Sequence, residues 1–224
     1  MIPKKLYALL AKKGKPGAYK ASAVFHSQDF VETIFMVKSG YVKRYQLNSN
    51  QEEGVIELIY GPGQLFPLTQ LYTELFNVTM NEDSLIYIYQ AMTDVETFKL
   101  PAKTLVSLMD KDLSLYKDLF YESGLKLRQN IHRLASNSIK DTYKKVAHQL
   151  YVLAMEFGQN YETKGQKVIK ILVPMSPKDI AEQLNISVAE ADAVLESLLD
   201  RKIIDIQDNY LHVIDKELLQ AIFL

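Results

Sequence analysis

The sequence predicts an α+β chain in three parts: a strand-rich N-terminal half, one long central helix, and a C-terminal pair of helices followed by a β-hairpin. Three observations predict it. Residues 21–100 hold short apolar runs broken by Gly, Pro and Asn, the pattern of an antiparallel sandwich or roll. From Leu113 to Leu134, seam residues fall at alternating three- and four-residue steps, which is the spacing of a coiled coil. From Met175 to Lys202, two capped helical segments meet at a tight turn.

The strands come first. Thr33–Val37 is an apolar run, Ser39-Gly40 turns the chain, and Tyr41–Tyr45 alternates. Asn48–Gly54 is a polar loop, and Val55–Tyr60 is the next strand. Gly61-Pro62-Gly63 makes a sharp turn into Gln64-Leu65-Phe66. Leu85–Ala91 and Asp94–Leu100 complete the set, and Pro101 closes it. Ahead of them, Lys4, Lys5, Lys12 and Lys13 surround Leu6, Leu9 and Leu10 in a basic amphipathic helix that ends near Gly14.

Helix resumes at Lys103. The seam carries Leu113, Tyr116, Phe120, Ser123, Leu127, Asn130 and Leu134. Such a stripe pairs with its own copy, giving a two-fold homodimer, and Asn130 would fix its register. A further helix, Asp141–Phe157, leads through a polar loop, Gly158–Lys167, to a strand at Val168–Val173.

In the C-terminal segment, Ser176 caps the first helix, with Pro177 at its first position and Asp179 complementing the dipole. Small Ala181 lies where two helices can cross, and Asn185 tolerates the left-handed turn backbone four residues later. Ser187 caps the second helix with Glu190 as its capping-box partner, and Ala191, Val194, Leu195 and Leu198 give it a buried face. Ile203–Ile206 and Leu211–Ile214 form a hairpin turning at Asp208-Asn209. A helix-turn-helix followed by a hairpin is a winged helix, an element that reads DNA.

Composition narrows the chemistry. The chain has 224 residues, 48% hydrophobic and 24% charged, so it can bury a sizeable core. It has no cysteine, hence no disulfide, thiolate metal site or thiol nucleophile. Its four histidines are not spaced as metal ligands. No catalytic residues, metal ligands or cofactor site emerge, so an enzyme is not expected. With no signal peptide and no apolar span, a cytoplasmic protein without membrane contact is expected.

Roll, seam helix and winged helix in this order resemble the cyclic-AMP-receptor/Fnr (Crp/Fnr) family of bacterial transcription regulators along nearly the whole chain. The residues that carry the resemblance are Phe35–Gly40, Gly61–Phe66 and Met175–Ile204. It implies a cyclic-nucleotide-binding-like jelly-roll sensor at 1–110, a dimerisation helix at 111–137 and a winged helix-turn-helix DNA-binding domain at 138–224. It also implies paired recognition helices on a palindromic site of double-stranded DNA, with RNA polymerase as a further candidate partner.

Two departures matter. Cyclic-nucleotide-binding members hold the phosphate with a Gly-Glu pair and a later Arg, yet no Arg or Lys occurs from Gln64 to Thr97 here. A cyclic nucleotide is therefore not the expected ligand, and without cysteine neither is an oxygen-sensing cluster. Leu65, Phe66, Tyr87, Tyr89 and Arg128 are the candidate lining for an unknown small-molecule effector, with a filled core and no effector as the equal alternative. The second departure is charge. From Ser138 to Leu224, ten Lys and Arg face thirteen Asp and Glu, whereas DNA readers usually present positive charge. Ser176, Lys178, Ser187, Val188, Ala189, Glu190, Asp192, Ala193 and Lys202 are the candidate DNA contacts, with Lys140, Lys144, Lys145 and Arg201 available to phosphates. The competing expectation is a dimeric sensor or interaction module that keeps the fold and has lost DNA binding.

Overall fold

The computed structural model describes residues 4–26, 30, 32–47, 54–77, 86–163 and 165–224. Two compact units divide at Arg128 and Gln129, within one long helix. The expected loop at 48–53 and the expected start of a strand at Leu85 lie outside the described residues.

The first unit holds α1 (Lys4–Lys13), β1 (Lys15–Tyr19), β2 (Val24–Phe25), β3 (Thr33–Ser39), β4 (Val42–Leu47), β5 (Val55–Tyr60), β6 (Leu65–Phe66), α2 (Leu68–Phe76), β7 (Ile86–Ala91), β8 (Val95–Pro101), α3 (Ala102–Met109) and the start of α4 (Ser114–Ser138). Two antiparallel sheets form, in the orders β1-β8-β3-β6 and β2-β7-β4-β5. The period-two alternation of a strand sorts their side chains. On β3, Phe35 and Val37 join an aromatic core between the sheets, while Ile34 and Met36 face a second core under the helices. In the first core, Phe66 stacks on Phe35 and on Tyr89, each at 5.4 Å, and Phe25, Phe30 and Tyr60 surround them. In the second, Leu6 and Leu10 of α1 meet Leu71 of α2, Leu105 of α3 and Leu115 and Leu119 of α4. Gly40 turns β3 into β4 at φ +84°, where a Cβ would stand 2.2 Å from the Asp94 carbonyl oxygen, so no other residue fits.

Several elements were not expected. β1 contains Pro16 and Gly17, which masked it in the sequence; it is an edge strand, where proline is tolerated. α2 fills the stretch after Phe66 that read only as a departure from the family pattern.

α4 buries Leu115, Leu119, Glu122 and Lys126. Lys126 Nζ donates to the Ile59 carbonyl oxygen at 2.9 Å and to Gln64 Oε1 at 2.8 Å, and stands 4.0 Å from the centre of the Tyr60 ring. One turn earlier, Glu122 Oε2 accepts from the Leu65 amide at 3.4 Å, while Oε1 is buried without a hydrogen-bond donor. Burial pushes the Glu122 carboxyl above the usual range, against the opposing pull of Lys126.

The opposite face corrects the predicted seam. Leu113, Phe120, Leu127 and Leu134 are 71%, 81%, 62% and 62% exposed, as expected of an unpaired stripe. The alternate positions are Lys117, Gly124 and Ile131, all exposed, rather than Tyr116, Ser123 and Asn130. Tyr116 packs against the helical core with its hydroxyl on Asp110, and Ser123 bonds Tyr72. Asn130 is half-buried. Leu113 precedes the helix.

The second unit continues with α5 (Thr142–Phe157), β9 (Gly158–Thr163), β10 (Gln166–Ile171), α6 (Pro177–Leu184), α7 (Val188–Asp200), β11 (Ile204–Gln207), β12 (Tyr210–Val213) and α8 (Lys216–Ala221). Its sheet runs β11-β12-β10-β9. The segment expected as a loop at Gly158–Lys167 is instead mostly β9, a polar edge strand with no apolar alternation to announce it. The wing hairpin turns at Asp208 and Asn209, both with positive φ, as a two-residue hairpin requires. The end of α4 is tied in by neutral groups. Ser136 Oγ bonds Gln149 Oε1 at 2.9 Å and His148 Nδ1 at 2.8 Å, and Gln149 Nε2 donates to Gln183 Oε1 at 2.8 Å. Asn137 Nδ2 donates to the Gln183 carbonyl oxygen.

Candidate nucleic-acid interface

The capping box predicted at Ser187 is present, and Ser176, expected only as a cap, forms a second box with Asp179. The Asp179 amide donates to Ser176 Oγ at 3.1 Å, and the Ser176 amide to Asp179 Oδ2 at 3.0 Å. The Glu190 amide donates to Ser187 Oγ at 3.2 Å, and the Ser187 amide to Glu190 Oε2 at 2.9 Å. Asn185 takes the left-handed conformation between the helices, at φ 52° and ψ 52°. Ile180, Ala181 and Leu184 of α6 and Ala191, Val194, Leu195 and Leu198 of α7 are buried. This fixes which face of α7 is left outside: Val188, Ala189, Asp192, Ala193, Glu196 and Asp200 are exposed.

Eight of the nine candidate contacts lie on α6, on the turn or near the start of α7. Lys202 does not. It follows α7 at φ 56°, roughly 20 Å along the helix from Val188 at 1.5 Å per residue. Lys178 is exposed, with Glu182 Oε1 at 3.7 Å. Glu190 is less free than a base reader needs to be, since its Oε2 also accepts from Ser187 Oγ at 2.7 Å. The Ser187 hydroxyl and amide hold its carboxyl below the usual range, and the charge of Lys145 adds to that.

That Lys145 acts on Glu190 reveals what the charge count conceals. The fold carries the first turn of α5 to the flank of α7. Arg201 Nη1 donates to the Tyr143 hydroxyl at 2.6 Å, and both line a cavity of about 360 Å³ with Asp141 and Lys144. Lys144 and Lys145, far from it in sequence, therefore border α7 together with its C-cap Arg201. Amphipathic spacing places the apolar face of α5 but gives no signal for which helix its first turn approaches.

The candidate effector lining does not converge. Leu65 and Phe66 are neighbours on β6 and face opposite sides: Leu65 joins the helical core and Phe66 the aromatic one. Tyr89 belongs to the aromatic core, Tyr87 lies 4.4 Å beneath the Arg44 guanidinium, and Arg128 is exposed on α4. Ring stacking occupies the space the sequence left open for a ligand. Among the described residues, no group of His, Asp and Glu is placed to hold a metal ion, and no helix is long and apolar enough to cross a membrane.

A family model for the cyclic nucleotide-binding domain matches residues 18–112. The transcriptional activator protein FnrA of Stutzerimonas stutzeri is 20% identical over 206 residues, which is 92% of this chain and 78% of the relative. The anaerobic regulatory protein of Pasteurella multocida is 22% identical, over 88% of this chain and 67% of the relative. Among solved structures, a CooA variant from Carboxydothermus hydrogenoformans shares the fold with a TM-score of 0.73 at 16% identity, covering 97% of this chain and 90% of that one. A CRP/FNR-family transcriptional regulator from Thermus thermophilus aligns with a TM-score of 0.65 at 18% identity, covering 93% and 98%. The sequence relatives match across the roll, the long helix and the helix-turn-helix together, so over most of its length the chain is similar to Fnr-type transcription regulators.

Proposed function

We propose that the protein is a dimeric, sequence-specific DNA-binding transcription regulator. Residues 1–110 serve as its roll, 111–137 as its dimerisation helix and 138–224 as its reading head. One observation carries the reading. α7 exposes Val188, Ala189, Asp192 and Ala193 at its start, held by the Ser187–Glu190 capping box, while Lys144, Lys145 and Arg201 border it. Apolar Val188 and Ala189 suit a thymine methyl, and Asp192 suits the amine of cytosine. The cations supply phosphate contacts that the helix itself lacks. The names of the relatives, activators and anaerobic regulators, agree with this. RNA polymerase is the natural second partner. A cyclic nucleotide is not its effector, because the roll is packed with rings and offers no cation from Gln64 to Thr97.

A second reading has its own support. Asp192, Glu196 and Asp200 make the outward face of α7 acidic, and an interaction module that has lost DNA would look the same.

Selection of bound sequences from a random DNA pool, at low salt and again near physiological salt, separates the two. The regulator should recover a two-fold-symmetric site with half-sites about one helical turn apart, roughly 34 Å. Lys145→Ala should then weaken all sites alike and lower the salt slope by about one. Folded, dimeric protein that recovers nothing at either salt would leave the interaction module as the function.

A further inference from the structure

Between α2 and the start of α4 runs an open apolar groove of about 670 Å³. Tyr72, Leu75 and Phe76 line one wall, and Tyr116, Leu119 and Ser123 the other. Its hydroxyl groups are already paired: Tyr72 and Ser123 bond each other at 2.6 Å, and the Tyr116 hydroxyl donates to Asp110. Apart from Lys117, which also lines it, what remains on the surface is ring and aliphatic carbon. Phe76 is 66% exposed on one rim and Phe120 forms the other.

The exposed row on α4 assigns the heptad. With Leu113, Phe120, Leu127 and Leu134 at d, Lys117, Gly124 and Ile131 fall at a. Tyr116 and Ser123 are then g positions, and Tyr121 and Arg128 are e positions. This seam is thin. It has seven a and d positions, and two of the three a residues, Lys117 and Gly124, bring no apolar bulk. A stable interface usually engages about 20–30 residues a side. More surface must be covered, and the groove is the apolar surface continuous with the seam, through Phe120.

The occupant follows from heptad geometry. In a parallel pair, a g residue faces the e residue of the next heptad on the other helix. Tyr116 in the groove wall therefore faces the partner's Tyr121. In the protomer Tyr121 is an exposed aromatic ring. Resting on the dimer proposed above, we propose that each protomer inserts Tyr121 into the α2/α4 groove of the other, making α2 part of the dimer interface. The ring covers apolar wall while its hydroxyl stays at the rim, the arrangement that favours tyrosine at interfaces.

Sedimentation equilibrium on the full chain tests this, with thermal unfolding to show that each variant is folded. Tyr121→Ala and Phe76→Ser should each raise the dimer Kd by about tenfold or more, and the double variant should cost little beyond either one, as for groups in contact. Because the natural chain has no cysteine, a mixture of Phe76→Cys and Tyr121→Cys protomers should give a disulfide-linked heterodimer that neither variant forms alone. That bond requires Cα atoms within about 7 Å. If Leu127→Glu dissociates the dimer while Tyr121→Ala and Phe76→Ser leave Kd within twofold, the seam stands and the groove proposal falls. If the natural chain sediments as a monomer at micromolar concentration, the dimer reading falls and takes this proposal with it.

Discussion

The two ends of α4 are anchored by opposite means. The first half enters the roll through charge, with Lys126 buried against the Ile59 carbonyl, Gln64 and the Tyr60 ring, and Glu122 buried beside it. The second half enters the winged helix through neutral groups, Ser136 to Gln149 to Gln183. A buried ion costs several kcal/mol to desolvate and tolerates no missing partner. An amide chain costs less to bury but demands that every member be present. One helix thus carries a stiff, charge-dependent anchor at one end and a geometric, nearly charge-free one at the other.

Removing the cation should have the largest effect. Lys126→Met leaves Glu122 buried without the cation one turn away, and unfolding stability should fall by about 3–5 kcal/mol at neutral pH. The loss should shrink near pH 5, where Glu122 can take a proton. An equal loss at both pH values would mean that packing, not charge, holds this end. At the other end, Gln149→Leu strands the Gln183 side chain and should cost about 1–3 kcal/mol. Adding Gln183→Leu should cost much less than a second such step, because the orphaned partner is removed. Urea denaturation of the three variants reads the cycle, and full additivity would deny that the amides act as a chain.

The ends should also respond to pH with opposite signs. The Glu122 carboxyl is raised by burial. Its contribution is fully present below the unfolded value near 4.5 and declines as pH rises toward the folded one. Glu122→Gln should abolish that decline, leaving stability flat where the natural chain loses it with rising pH. His148 is lowered, by burial first and then by the charge of His132. Its neutral form is the one the fold accepts, so stability is intact above the unfolded value near 6.5 and falls as pH drops below it. His148→Gln should flatten that acid limb and leave the Glu122 limb unchanged. Denaturant midpoints measured from pH 4.5 to 8 on both variants test the assignment; if either substitution flattens both limbs, the two anchors are not separable.

How much of this was readable in the sequence depends on the physics behind each element. The capped helices, the Asn185 turn and the Asp208-Asn209 hairpin were readable because local backbone rules set them. β1 and β9 were not, since edge strands need neither alternation nor apolar residues, and Lys15–Tyr19 even carries Pro and Gly. The seam was half-readable. Leu113, Phe120, Leu127 and Leu134 are spaced by seven, but Tyr116 and Lys117 are both plausible neighbours, and only the roll's claim on Tyr116 decides between them. Lys144, Lys145 and Arg201 could be named from the sequence as phosphate contacts, but their grouping beside α7 was unreadable because the two lysines come from α5. Charge summed along the chain gives −3 for residues 138–224 and says nothing of where Lys144 and Lys145 end up.

The smallest expected effect concerns Gly124, which lies on α4 between Glu122 and Lys126 in sequence. A Cβ there would meet nothing within 4 Å, so in a lone protomer Gly124→Ala should gain the helix-propensity difference of about 1 kcal/mol. The gain should appear in thermal unfolding at protein concentrations below the Kd of the proposed dimer. Gly124→Leu sharpens the point. Phe120 sits one turn earlier on the same seam, and a large ring beside a glycine is how facing layers interdigitate. Leucine would then collide with the partner helix, so Gly124→Leu should stabilise the dilute protomer yet raise the dimer Kd. A lowered Kd would instead mean that the helices leave room at this layer, and that the glycine is there for a reason other than their close approach.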